Sequence, residues 1–185
     1  MKPIAINAQQ LAAALPEVQP GLQKYSAIQV LVKADTTGFT DPLLRRSYNG
    51  FYRVRRGQTW QSVYFDLMHQ TQKHGHGFSH VLTALHGATG RYEASFASKL
   101  LATLDTSQPV IDSVVLKNLD CKLPAATSPH RVRDVVALHS DLRQNVKSFL
   151  GTPDGRVLVA QFNASYPSNA ISEEKMVDLV LWQMR

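Results

Sequence analysis

Residues 87–119 read GATGRYEASFASKLLATLDTSQPVIDSVVLKNL. Phe96, Leu100, Leu101 and Leu104 recur at helical spacing, which predicts a helix over about 91–104. A helix around Ser79–His86 precedes it, and Gly87-Ala88-Thr89-Gly90 breaks the chain between the two. A helix, a glycine hairpin and a second helix leave free backbone N–H groups at a helix N-terminus, which is an anion site. Pro109 then turns the chain into Val110–Leu119, predicted as a further helix, with Asp112 inside an apolar Val-Ile-Asp-Ser-Val-Val run. An aspartate at a helix start caps it by accepting from a backbone N–H. A carboxylate beside apolar surface also suits catalysis. Both readings of Asp112 stay open.

Outward from this stretch the chain reads as mainly α. A short amphipathic helix over Asn7–Leu15 is expected to end at Pro16. A loop over 35–50 follows, then a helix capped by Thr59 with Trp60, Val63, Tyr64, Leu67 and Met68 at helical spacing. Ser128-Pro129 opens a long helix to about Leu150. Gly151–Gly155 reads as a loop, and Arg156–Phe162 as helix rather than strand. Ser172 caps the last helix, Glu173 and Glu174 fill its positive first turn, and Val177, Val180, Leu181 and Met184 form its apolar stripe. The expected organisation is a 1–50 N-terminal extension and a 51–185 helical domain.

The 185 residues are 44% hydrophobic and 18% charged, a globular composition with material for a real core. No apolar run is long enough to span a bilayer, and the start lacks the continuous apolar run of a signal peptide. The single cysteine, Cys121, allows no internal disulfide, so a reducing cytoplasmic setting is expected.

The net charge of +6 is uneven. Lys2, Lys24 and Lys33 cancel Glu17, Asp35 and Asp41, so the whole excess lies from Arg45 onward. Within Arg45–Arg56 stand Arg45, Arg46, Arg53, Arg55 and Arg56, with no acid and with Tyr48, Phe51 and Tyr52 between them. Guanidinium forks match phosphates and aromatic rings stack on bases, which suits nucleic acid. His69, His74, His76, His80 and His86 cluster in eighteen residues without a cysteine or a paired carboxylate motif; no metal and no cofactor are expected.

The hairpin of Gly87 to Arg91 followed by Pro109-Val110-Ile111-Asp112 resembles the helix–hairpin–helix DNA glycosylase superfamily, in the manner of a small 8-oxoguanine-glycosylase-like relative. The likeness covers about residues 80–119, and Asp178-Leu179-Val180-Leu181-Trp182 is similar to a closing helix of small members. The resemblance implies that hairpin amides hold a DNA phosphate and that Asp112 assists cleavage between base and sugar. Members with lyase activity carry a lysine just after the hairpin. Here Arg91-Tyr92 stands there and Lys99 lies two turns further on, so hydrolysis that spares the strand is expected.

The resulting expectation is DNA binding and removal of a damaged or modified base, a hydrolase of DNA repair. Asp112 is the catalytic candidate. Gly87, Gly90, Arg91, Arg53, Arg55, Arg56, Lys99 and Lys117 are the DNA-binding candidates, and Trp60, Tyr64 and Trp182 are candidates for a base pocket. A helix–hairpin–helix module that binds DNA or RNA without catalysis is the alternative.

Overall fold

A computed structural model describes residues 1–184. Among them nine helices and no strand are found: α1 Ala8–Ala34, α2 Pro42–Tyr52, α3 Gln58–His74, α4 Phe78–Thr89, α5 Ala94–Leu104, α6 Ser113–Asn118, α7 Arg131–Leu150, α8 Pro153–Ser165 and α9 Glu173–Gln183. The mainly α reading holds. One hydrophobic cluster runs through α1 to α9, so residues 1–50 contribute Leu11, Val18, Ile28 and Tyr48 to the same core as the rest. Helix α9 packs on α1, α6, α7 and α8, while α3, α4 and α5 pack on one another and α4 leans on α7.

Helix α1 corrects the expected stop at Pro16. Asn7 and Gln10 form a capping box, and the helix then runs through both Pro16 and Pro20. An interior proline removes an N–H from the ladder and bends the helix. Other elements brace this stretch from outside. The carbonyls on either side of Pro16 accept from distant side chains: that of Leu15 from the Tyr166 hydroxyl, that of Glu17 from Gln183 Nε2 at 2.9 Å. Tertiary bonds of this kind are invisible in a local sequence window.

The loop expected over 35–50 is helix α2 from Pro42 onward, with Asp41 as its N-cap accepting from the Leu43 N–H at 2.8 Å, and smaller boundaries also move. Gly57, not Thr59, is the N-cap of α3. Helix α4 continues through Gly87 and ends at Thr89, with Gly90 left-handed at φ 69° as its C-cap. The Gly151–Gly155 loop is shorter than expected, because Thr152 caps α8 by accepting from the Gly155 N–H at 3.1 Å and Pro153 already lies inside the helix. Arg156–Phe162 is helical within α8. Ser172 caps α9 as read, accepting from the Lys175 N–H at 3.2 Å.

Two residues fix how the helices meet. At Gly155 a Cβ would stand 2.1 Å from the Phe149 carbonyl oxygen and 2.8 Å from Leu150 Cα, so α8 can start against the end of α7 only without a side chain there. His139, on α7, is buried with its ring stacked on Phe78 at 3.9 Å. Burial lowers its pKa to about 4, against an opposing effect of the Pro109 backbone.

These contacts generate two expectations. Gly155→Ala lowers stability by about 2–3 kcal/mol, because backbone must shift. Gly87→Ala, in helical backbone with open space around it, raises stability by about 0.5–1 kcal/mol; chemical denaturation of both variants checks the contrast. Buried His139 stays neutral while the unfolded chain takes up a proton below pH 6.5, so stability falls as pH drops from 6.5 to about 4. The loss reaches about 3 kcal/mol by linkage. His139→Phe, which keeps a ring on Phe78, should flatten the unfolding free energy across that window.

Candidate active site

A cleft of about 500 Å³ opens where α1, α2, α5, the start of α6 and α9 converge. Pro20, Gly21 and Lys24 form one wall, Phe51, Tyr52 and Arg53 a second, and Asp178, Leu179 and Trp182 a third. Lys99 and Asp112 stand between them.

Each side chain reaches the cleft through local chemistry. Asp112 is the N-cap of α6, and one carboxylate oxygen accepts from the Val114 N–H at 2.8 Å. Among the described residues the other oxygen has no hydrogen-bond partner. The capping role and the cleft position therefore coexist. The approach to Asp112 is tied to α5: the Ile111 N–H donates to Ser98 Oγ at 2.9 Å, and Ser98 Oγ donates to the Ser95 carbonyl at 2.9 Å. Residue 99 is the next on α5, so the same bond that positions the aspartate fixes its distance from Lys99.

Lys99 is half-buried, with Nζ 3.5 Å from the Tyr52 carbonyl and 5.2 Å from the centre of the Phe96 ring. Burial lowers its pKa below the ordinary lysine value, and the charge of Asp112 opposes that shift only in part. A lysine held this way carries a larger neutral fraction and is a better nucleophile.

Lys175 is the residue that sequence reading missed. It is 4% exposed, yet its ammonium lies 2.6 Å from Asp178 Oδ2 and 4.5 Å from the centre of the Tyr25 ring. Burial disfavours its charge, but Asp178 and the phenols of Tyr52 and Tyr25 outweigh that, so the pKa rises and the ammonium stays protonated. A signal existed. Lys175, Asp178, Leu179 and Trp182 follow the i, i+3, i+4, i+7 spacing of one helix face.

The other sequence candidates separate into groups. Arg53 and Trp182 line the cleft, with the guanidinium carbon 5.8 Å from the ring centre. Arg55 is exposed. Arg56 is held by Glu93 at 2.7 Å, beside Trp60 and Phe96. Arg45 donates to the Phe39 carbonyl at 2.5 Å and lies over Phe65, so two of the five arginines brace the fold. Trp60 stacks on fully buried Tyr64, whose hydroxyl donates to the Phe96 carbonyl at 2.9 Å; neither lines the cleft. Gly87, Gly90 and Arg91 are exposed or half-exposed around the α4–α5 turn, and Lys117 is exposed on α6. Tyr92 beside them stacks on His86 at 3.8 Å.

No family model, curated protein or solved structure matches the chain. Among the described residues no helix is long and apolar enough to cross a membrane, and no three or more His, Cys, Asp or Glu side chains gather around a metal position. His76 and His80 instead stack on each other at 3.7 Å.

The chemistry available is therefore a carboxylate with one free oxygen, a lysine with a lowered pKa, and aromatic and apolar walls beside a fixed ammonium–carboxylate pair. That pair yields a test. Asp178→Asn strands the Lys175 charge in the interior and costs about 3–5 kcal/mol, whereas Lys175→Met combined with Asp178→Leu recovers at least half of the loss. Urea unfolding of the single and double variants reads both.

Proposed function

We propose that this protein binds duplex DNA and removes a damaged or modified base, with the extruded nucleotide seated in the cleft. The observation that carries this reading is Asp112 facing a concave cleft together with Lys99. Departure of a base leaves positive charge on the sugar, and a carboxylate at that place stabilises it. Tyr52, Phe51 and Trp182 give the cleft aromatic faces suited to an unstacked base. Arg53 and exposed Arg55 and Arg46 offer the cationic surface for the backbone.

Lys99 favours an amine over water as the nucleophile, a change from the strand-sparing hydrolysis expected of Arg91-Tyr92 behind the hairpin. Its neutral Nζ attacks the sugar C1′, the bond from C1′ to the base nitrogen breaks, and the base leaves with the electron pair and takes a proton. The nitrogen then passes a proton to the ring oxygen O4′, whose bond to C1′ breaks as a protonated imine forms. Loss of a C2′ proton from that imine expels the 3′ phosphate and cuts the strand.

The test is a panel of duplex oligonucleotides, each carrying one damaged base. Asp112→Asn can still cap α6, so Tm should stay within about 2 °C while base release falls by about a hundredfold or more. Borohydride should trap a covalent complex with wild type and none with Lys99→Met. Strands left intact until alkali is added would restore water as the nucleophile. Release from no oligonucleotide in the panel would leave the binding module without catalysis as the standing reading.

A further inference from the structure

Arg53 sits where an arginine brings the backbone no advantage. It follows the last residue of α2 and closes that helix in the left-handed region, at φ 54° and ψ 46°. Glycine is the residue that this position ordinarily favours, because a Cβ crowds the neighbouring carbonyl. Phe39 and Asp120 share this conformation, but of the three only Arg53 lines the cleft. It is exposed at the rim of the cleft, spans from the α2 wall towards α9, and lies over the Trp182 ring. Among the described residues no carboxylate lies within ion-pair distance of it.

The charge of the cleft points the same way. Once Lys175 and Asp178 have neutralised each other, Lys24, Arg53 and Lys99 face only Glu17 and Asp112. With Lys99 neutral for its attack, Lys24 and Arg53 are the cations that remain, and the Arg53 guanidinium is the one that lies over an aromatic wall. A guanidinium lying on an aromatic face keeps its fork in one plane and can donate two N–H bonds to two phosphate oxygens.

We infer that Arg53 is a positioning residue that grips the phosphate next to the extruded nucleotide and so holds the sugar between Lys99 and Asp112. The inference rests on the base-excision reading and adds to it the group that recognises the backbone at the lesion, as distinct from the general attraction of the basic surface.

Arg53→Gly removes the grip and relaxes the backbone, so its Tm should be no lower than that of wild type; Arg53→Asn, also tolerant of this conformation, repeats the test. Binding is measured by fluorescence anisotropy on two duplexes. One carries a tetrahydrofuran abasic analogue and the other is undamaged. Wild type should prefer the abasic duplex. Both variants should lose about tenfold or more on it, the worth of a charged hydrogen-bonded contact, and no more than about twofold on the undamaged duplex. Equal losses on the two duplexes, or a preference that both variants keep, would overturn this inference alone. Wild type binding both duplexes alike would overturn it together with the base-excision reading.

Discussion

The buried ammonium of Lys175 is the constraint around which the cleft is arranged. Removing such a charge from water costs several kcal/mol, and nothing in an apolar core repays it. The fold meets the cost with a carboxylate one turn along α9 and with the aromatic faces of Tyr25 from α1 and Phe51 from α2. Helices α1 and α2 and the far later α9 must keep their separations for these contacts to persist. The cleft that opens above them inherits that rigidity. The same dry surroundings lower the pKa of Lys99, which among the described residues has no carboxylate at ion-pair distance, while Asp178 keeps Lys175 charged. Two lysines in one cleft thus hold opposite tendencies because only one has a close counter-ion.

Asp112 and Lys99 are joined by a less conspicuous device. Ser98 is buried on α5, and its hydroxyl accepts the Ile111 N–H, so the irregular strand of chain before α6 has no freedom to slide along α5. The carboxylate is aimed by its own capping bond, and the amine by its place next to Ser98. Neither depends on a flexible loop for its position, which suits chemistry needing placement to a fraction of an ångström.

Much of this architecture was legible from the sequence wherever a local rule acted alone. Ser172 with its two glutamates marked α9, and Pro109 followed by Asp112 marked the entry to α6. Reading failed where distant parts of the chain overrode the local rule. Pro16 looked like a terminator because the contacts that brace this stretch of α1, from Tyr166 to Leu15 and from Gln183 to Glu17, come from 151 and 166 residues away. The run of five arginines looked like one surface, yet Glu93 and the Phe39 carbonyl draw two of them inward. Lys175 went unnamed, because its burial and its aromatic neighbours come from α1 and α2 packing over that face of α9. Of the site itself, Asp112, Arg53 and Trp182 were named on sequence grounds. Lys99 was named only as a contact to DNA, because its place opposite Asp112 depends on how α5 meets the Pro109 turn.

The packing of α9 against α1 bears on how the molecule comes into being during synthesis. The wall that carries Lys175, Asp178 and Trp182 belongs to residues 173–183, whereas its partners on α1 are made about 150 residues earlier. Before residues 173–183 have been made, a growing chain can fold α3, α4 and α5 against one another, since those contacts are close in sequence. It cannot form the cleft. Tyr25 and Phe51 must wait, with part of their apolar faces uncovered, until residues 173–183 have emerged, so the cleft is among the last features of these residues to take shape.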